Sequence, residues 1–379
     1  MTQTKVEAPF VANNFAHFKN LIINGDFRIF QRASGSTAVG NGTYSTADRF
    51  KTHFSNDGAA TSQQHTMSDA DRATTGHSFA WQWDVGTADG TIGSGQTCYF
   101  RQFIEAQNCS GLAYGSSAAK TLTLSFWVKS AKTGTYCCTI HKHDSTTYNL
   151  PLEYTISSAD TWEHKTLVVS PTAGSTSLIT GSAGDITQDN GKGIIIVWWL
   201  AAGADFHGTN NTWSSNTNHL ATSNQVNWLD STSNDFYITG IQFEIGDQAT
   251  DFEHLPFDVQ LIRCQRYFYN LSSLGPYVPD SEAAYLGTGF MYSSSYMLCN
   301  VHLPVAMRTE PSLTTSNASN HFMFYRNSAG DNCDDLTLSG SSSAICATVQ
   351  NNTDVSGTAG HAGGLVVQAG STCELSAEL

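Results

Sequence analysis

The sequence predicts an all-β protein: a jelly-roll-like antiparallel β-sandwich, then a short helix and a second, smaller β-sandwich. Short segments of extended, often alternating, character recur along the chain, and clusters of Gly, Asn, Asp and Ser separate them. A helical spacing of apolar residues occurs just after Pro256. Many short strands joined by polar turns are typical of antiparallel sandwiches, among which the jelly roll is a common large form.

The composition favours a folded chain with an uncharged polar surface. Of 379 residues, 40% are hydrophobic and 11% aromatic, so the chain can bury a core. Only 13% are charged, well below the usual ~25%, and the net charge is −14. Because no cluster of Lys and Arg is available to neutralise phosphates, we expect no nucleic-acid partner. No apolar run approaches about 18 residues, so we expect neither an export signal nor membrane insertion.

Changes in the residue pattern divide the chain into four segments. The first lacks periodicity and is expected to be an arm that docks on another protein, and the third is expected to be a helix that Asp258 caps. The segments are a docking arm (1–19), a jelly-roll β-sandwich (20–255), a helical linker (256–270) and a C-terminal β-sandwich (271–379).

Alternation along individual segments predicts the strands of the first sandwich. In the segment 121–129, Leu122, Leu124, Phe126 and Val128 share one face, and the opposite face carries Thr and Ser, as expected for a sheet with one side facing solvent. Residues 20–32 are predicted to form two extended pieces around a turn at 24–26. The other predicted strands are 47–54, 78–85, 98–104, 134–143, 163–169, 194–201 and 235–244.

The same pattern returns after the predicted helix, whose apolar residues run from Val259 to Phe268. The strands predicted for the second sandwich are 283–292, 296–303, 321–326, 335–338, 344–349, 364–368 and 373–379.

The nine cysteines are predicted to be reduced thiols. Their number is odd, and most stand singly among apolar neighbours, as small core residues do. Cys137 and Cys138 are adjacent in a predicted strand, where successive side chains point to opposite faces, so a bond between them would distort the peptide.

A long polar loop, residues 203–227, is a candidate site for a sugar. Sugar rings offer an apolar C–H face that stacks on aromatic rings, and their hydroxyl groups need amide or backbone partners. The loop supplies both kinds of group, although a lone tryptophan more often anchors a loop than it binds a ligand. The candidate ligand-binding residues are Asn210, Asn211, Trp213, Asn216 and Trp228.

Two histidines, His141 and His143, are the best candidate metal ligands. They project from the same face of a predicted strand, and Cys137 lies on that face two steps earlier. The alternative is a polar sheet face without a metal. A metal site is favoured over that alternative only if three copies of the strand meet on a symmetry axis and supply six imidazoles. No cofactor is predicted.

Catalytic signatures are absent from the sequence: it contains no Gly-x-Ser-x-Gly, His-Glu-x-x-His or phosphate-binding glycine motif. Cleavage of a glycosidic bond needs two carboxylates that face it. Asp48, Asp205 and Glu244 are candidates for a hydrolase, but no pattern singles them out.

Several stretches together resemble a module of bacteriophage tail-fibre and other receptor-binding virion proteins. They cover most of residues 20–270, and the C-terminal part resembles the same proteins more loosely. The stretches are NLIINGDFRIFQR (20–32), YSTADRF (44–50), LSFWVKS (124–130) with GTY (134–136), YITGIQFEIG (237–246), ATDFEHLPF (249–257), CQRYF (264–268), LPVAMR (303–308) and AEL (377–379).

This resemblance implies a non-enzymatic virion protein with carbohydrate-binding-like β-sandwiches, assembled as a homotrimer in the host bacterial cytoplasm and exposed on the particle. Its partners would be other virion proteins, through the arm, and a bacterial surface glycan. Because such modules often end a long fibre and only residues 1–19 precede this one, a short fibre, a separate tip subunit or a decoration is expected. The alternatives are a capsid or tail decoration or adaptor protein, and a polysaccharide depolymerase.

Overall fold

The computed structural model describes residues 18–272, 283–316 and 319–379 and confirms the all-β class, since antiparallel sheets dominate the described residues. Residues 37–245 form two sheets that face each other, the N-terminal sandwich. The six-stranded sheet has the order β1 (Thr37–Ala38), β3 (Ala59–Thr66), β4 (Phe79–Thr87), β11 (Asp235–Ile245), β6 (Leu122–Ser130), β9 (Glu163–Val169). The five-stranded sheet has the order β2 (Phe50–Ser55), β5 (Thr97–Glu105), β10 (Lys192–Ala202), β7 (Gly134–Lys142), β8 (Tyr148–Ile156).

Aromatic residues from both sheets fill the space between them. Trp81 of β4 lies edge-on to Phe100 of β5, with ring centroids 5.0 Å apart, and Phe100 stacks on Trp198 of β10 at 5.4 Å. The apolar face of β6 is wholly buried here, as its alternation predicts. Rings of this size each bury a large apolar area, so this layer stabilises the sandwich.

The opposite face of β6 differs from the prediction of a solvent-facing side. Thr123 and Ser125 are buried there, and Thr123 Oγ1 donates to the carbonyl of Gly246, 2.9 Å away. The chain that follows β11 thus turns back over this face, which sequence alternation alone does not reveal.

Residues 20–32 form no strand, contrary to the prediction. They run across the end of the sandwich and bond to both sheets: Ile241 N donates to Gly25 O at 2.9 Å, and Gln102 bonds both the N–H and the carbonyl of Ile23 at 2.8 Å. These polar contacts satisfy the backbone without strand pairing, so the segment closes the core instead of extending a sheet.

Two short α-helices accompany the sheets in the described part of the chain. α1 (Asp69–Thr75), which the pattern did not predict, begins after Ser68, whose hydroxyl accepts from Asp71 N. α2 (Phe257–Gln265) begins directly after Pro256 and ends earlier than predicted, because Phe268 already belongs to a strand. No helix within the described ranges is long and apolar enough to cross a membrane.

The second unit, the C-terminal sandwich, joins a three-stranded and a seven-stranded sheet around one hydrophobic cluster. Part of its predicted span, residues 273–282 and 317–318, lies outside the described residues. The three-stranded sheet has the order β12 (Phe268–Asn270), β21 (Cys373–Ser376), β15 (Ser312–Thr315). The seven-stranded sheet has the order β17 (Ala329–Cys333), β16 (Phe322–Arg326), β20 (Ala362–Val367), β13 (Ala284–Ser293), β14 (Tyr296–His302), β19 (Cys346–Asn351), β18 (Thr337–Leu338).

All nine cysteines are free thiols in this structure, and eight of them are buried; Cys346 is half-buried. Burial raises the pKa of the Cys137 thiol to about 11, which suits an inert core position.

Candidate functional site

The outer face of the five-stranded sheet carries an open groove of about 200 Å³, which we call the basic groove. Strands β5, β10 and β7 lie side by side, and alternate residues of each project onto this face. Residues 203–222 cover the β7 side and leave the β5 side open. The groove is lined by Tyr99, Arg101, Phe103, His141, His143, Lys192, Ile195, Val197, Trp199 and Leu220.

The floor of the basic groove is apolar because β10 is apolar on both faces. Residues 194, 196 and 198 enter the core, whereas Ile195, Val197 and Trp199 lie on the outer face. Trp199 is buried by the covering loop, where its Nε1 donates to Thr139 Oγ1 at 2.8 Å. One face of β10 therefore packs into the core, and the other face forms the floor of the groove.

Three cations surround the ring of Phe103 at one side of the groove. The charged ends of Arg101 and Lys192 each lie 4.9 Å from the ring centroid, and that of Lys51 lies 5.8 Å away. Arg101 and Lys51 are direct partners across β5 and β2. Such contacts are favourable but do not neutralise charge.

The side chains of these cations make no ion pair or hydrogen bond within the part of the chain that the structure describes, and Arg101 Nε is buried without a partner. Burial is the main cause that lowers the pKa of Lys51, and repulsion by Arg101 and Lys192 lowers it further. Burial is also the main cause that lowers the pKa of Lys192, and repulsion by Arg101 and Arg308 adds to it. The groove thus concentrates uncompensated positive charge.

The two histidines lie together at the edge of the groove, on one face of the strand as predicted. His141 Nε2 and His143 Nδ1 are 3.2 Å apart. Burial, helped by His143, lowers the pKa of His141 to about 4, so its ring is neutral at pH 7. The described residues contain no group of three or more potential metal ligands, and the Cys137 thiol contacts Thr222 instead, so one chain does not assemble the predicted site.

Trp213 and Trp228 cannot act as stacking platforms, which corrects the sequence prediction. Both are buried in the main core, with Trp213 Nε1 donating to Ser170 O at 2.8 Å and Trp228 Nε1 to Asp235 O at 3.0 Å. They anchor the long loop, Trp213 near its middle and Trp228 just after its end, which is the alternative that the sequence had left open.

The three candidate asparagines are exposed but lie beside β8, outside the basic groove. Asn210 Oδ1 accepts from Glu153 N at 3.1 Å, Asn211 N donates to Pro151 O at 2.8 Å, and Asn216 Nδ2 contacts His219 Nε2 at 3.0 Å. The first two bonds fasten the loop to β8, and the third lies within the loop.

The carboxylates considered for catalysis do not converge. Asp48 and Glu244 are buried, 1% and 3% exposed, and so cannot reach a polysaccharide. Burial raises the pKa of Asp48 to about 6 despite Arg32 and Gln31. Glu244 accepts from Thr250, while the exposed Asp205 accepts from Ser94 Oγ at 3.1 Å.

Other surfaces of the described residues are also open, and two of them are large or aromatic. A cleft of about 620 Å³ on the six-stranded sheet is lined by His77, Trp127, His164 and the segment 249–254. The seven-stranded sheet exposes aromatic rings on its outer face, those of Tyr285, Phe290, Tyr292 and Tyr325. Neither surface gathers unpaired charged groups as the basic groove does.

Sequence reasoning missed Tyr99, Arg101, Phe103 and Lys192. Tyr99, Arg101 and Phe103 alternate within the predicted strand 98–104 and so share a face, but Lys192 precedes the predicted strand 194–201. The pairing of β2, β5 and β10 that gathers the three cations depends on distant segments. That pairing cannot be read from one sequence.

No protein-family model and no curated protein matches the chain. Among solved structures, a Bacteroides thetaiotaomicron protein proposed to bind sugar is similar at 14% identity and a TM-score of 0.32, over 60% of this chain and 100% of that one. The enzymatically active domain of bacteriophage CBA120 tailspike protein 4 is similar at 12% identity and a TM-score of 0.28, over 60% of this chain and 22% of that one. A family 11 carbohydrate-binding module of a Clostridium thermocellum cellulase is similar at 12% identity and a TM-score of 0.27, over 59% of this chain and 99% of that one. At these values the likenesses assign neither a family nor a function.

Proposed function

We propose that this chain is a non-enzymatic glycan-binding protein and that the basic groove is its binding site. The observation that carries the proposal is an open groove with an apolar floor and a rim on which Arg101 and Lys192 have no ion-pair or hydrogen-bond partner among the described residues. Sugar rings need both an apolar surface and hydrogen-bonding groups. At about 200 Å³ the groove is smaller than the ~300–1,000 Å³ pockets that enclose drug-sized ligands, so it fits one ring of a longer saccharide.

Within that function, we propose attachment of a bacteriophage particle to a host surface glycan, with the protein located in the virion. The support is the resemblance of the motifs, and three of the stretches that carry it pack together. Asn20 Nδ2 donates to Ile241 O at 3.0 Å, and Arg28 donates to Leu255 O at 3.1 Å. A homotrimer docked through the predicted arm, residues 1–19, would present linked grooves and raise avidity without stronger single sites. A decoration or adaptor role is the alternative.

Binding of the purified chain to arrayed bacterial surface polysaccharides tests the proposal, with two matched variants. Tyr99→Ala removes a half-exposed ring at the groove, where it stacks on His53 at 4.6 Å. Tyr325→Ala removes an exposed ring from the seven-stranded sheet. We expect binding that Tyr99→Ala weakens about tenfold or more and Tyr325→Ala leaves unchanged.

Absence of binding to every glycan, or a loss caused by Tyr325→Ala alone, would contradict the site. Mass measurement in solution tests the trimer, and loss of adsorption by particles that lack the protein tests attachment. Shortening of a bound polysaccharide would favour a depolymerase, for which the buried Asp48 and Glu244 are unsuited.

A further inference from the structure

We propose that the basic groove selects acidic saccharides, that is, sugars carrying a carboxylate or a sulfate ester, through Arg101 and Lys192. This inference rests on the proposed function and names the ligand class of the same site. Its first observation is a contrast within the chain. Acidic residues outnumber Lys and Arg by 32 to 18, so potential partners are abundant. Even so, no carboxylate among the described residues pairs with Arg101 or Lys192, and Arg101 Nε is buried without a hydrogen-bond partner.

Most of the other Arg and Lys residues that the structure describes have an ion-pair or hydrogen-bond partner, Lys120 and Lys129 excepted. Arg266 forms a paired contact with Glu105, at 2.8 and 2.9 Å, and Lys165 pairs with Glu163. Like charges held together without a counter-ion destabilise a fold, because each disfavours the charged form of the next. An oxyanion supplied by a ligand would remove this repulsion, and an Arg guanidinium matches carboxylate or sulfate geometry with two parallel bonds.

Carboxylates near the Lys192 end do not already fill this role. Asp144 accepts from Thr187 and from Ser145 N, and Glu378 is bound by Arg32 and Arg49. Asp189, which lines a neighbouring depression with Lys192, accepts from Gly191 N at 2.7 Å. The middle of the groove, between Arg101 and His141, is lined by no carboxylate.

The position of the charges relative to the floor suggests how such a sugar would lie. Arg101 is the direct cross-strand partner of Val197, so its guanidinium is beside the apolar floor. A sugar ring would lie over the small exposed area of Val197 and Ile195, each 5% exposed, while its acidic group meets Arg101 and Lys192. The neutral His141 would remain a hydrogen-bonding group on the other side.

Calorimetric titration of the full chain with matched saccharides tests the inference. The probes are hyaluronan and polygalacturonate oligosaccharides, their carboxyl-reduced forms, and dextran sulfate beside dextran. Arg101→Gln and Lys192→Gln remove groove charges, and Arg72→Gln, on the exposed surface of α1, is the matched control. We expect an acidic probe to bind at least about tenfold tighter than its neutral counterpart, and each groove variant to lose about tenfold.

Binding of the carboxylated or of the sulfated probe identifies which source of the oxyanion the groove takes, and either supports the inference. Equal binding of acidic and neutral forms, or affinity that Arg101→Gln and Arg72→Gln reduce alike, overturns it and leaves the proposed function standing. Binding to none of the acidic probes also overturns it, and the neutral glycans of the array then decide the proposed function separately.

Discussion

Arg49 and Glu378 form a buried ion pair that ties the N-terminal sandwich to the chain leaving β21. The Arg49 side chain is fully buried and that of Glu378 is 6% exposed. Arg49 also donates to Phe103 O at 2.9 Å and lies 3.3 Å from the ring centroid of Tyr267. Because Phe103 is the residue that the groove cations surround, this pair supports the candidate site from below.

Glu378→Gln should lower the free energy of unfolding by roughly 3–5 kcal/mol, because it leaves the Arg49 charge buried without a counter-ion. Chemical denaturation measures the change, and Glu310→Gln, at an exposed position, is the control. A loss no larger than that of the control would show that the pair does not hold the two sandwiches together.

Arg101→Gln should leave the unliganded protein as stable as before or more stable, because Arg101 has no ion-pair or hydrogen-bond partner among the described residues and repels Lys51 and Lys192, and its contact with the Phe103 ring does not neutralise its charge. Arg266→Gln should instead lower the melting temperature, since it leaves the wholly buried carboxylate of Glu105 without its ion-pair partner. Thermal unfolding of the two variants side by side makes the comparison. A lower melting temperature for Arg101→Gln would mean that its charge stabilises the fold through a partner.

Trp213→Phe should destabilise the chain by roughly 1–3 kcal/mol and leave glycan binding unchanged. The smaller ring cannot fill the core position or donate to Ser170 O. Denaturation and calorimetry on the same variant separate the two effects. A variant that loses glycan binding but keeps full stability would show that Trp213 contacts the ligand, as the sequence had suggested.

Gly240→Ala should destabilise the protein by roughly 1–3 kcal/mol, because the backbone there has a φ of +62° and an added Cβ would lie 2.3 Å from His77 Nε2. Gly90→Ala is the control, since no atom lies within 4 Å of its added Cβ. Similar stabilities for the two variants would mean that His77 moves aside without cost.

Acid should destabilise the fold through His77 and His141. Burial lowers the pKa of each to about 4 in the folded chain, below the ordinary value of 6.5. The unfolded chain therefore binds these protons first, so stability is fully present above about pH 6.5 and falls as the pH drops towards 4. Asp48, with its pKa raised to about 6, acts in the opposite sense, since its contribution is lost as the pH rises through that value.

Unfolding of the wild type and of His77→Gln between pH 4 and 8 checks this linkage. The variant should show a flatter dependence on pH across the acid range, because one of the two lowered groups is absent. An unchanged slope would place the proton uptake on other groups.

Strands with clean alternation could be predicted from the sequence, as β6, β9 and β11 show, because a buried face imposes a period of two. Segments whose structure depends on distant partners could not. Residues 20–32 are apolar enough for a strand, but Gln102 and Ile241 hold them across the sandwich end. The same limit applies to the site: tryptophans near a polar loop suggested a platform, whereas their burial depends on the core beneath them.

The crystal structure of a complex with the tightest-binding saccharide of the array tests the central claim most directly. We predict a sugar ring on the floor between Arg101 and His141, covering Val197. A saccharide bound instead to the exposed aromatic face around Tyr292, or in the cleft beside His77, would contradict it.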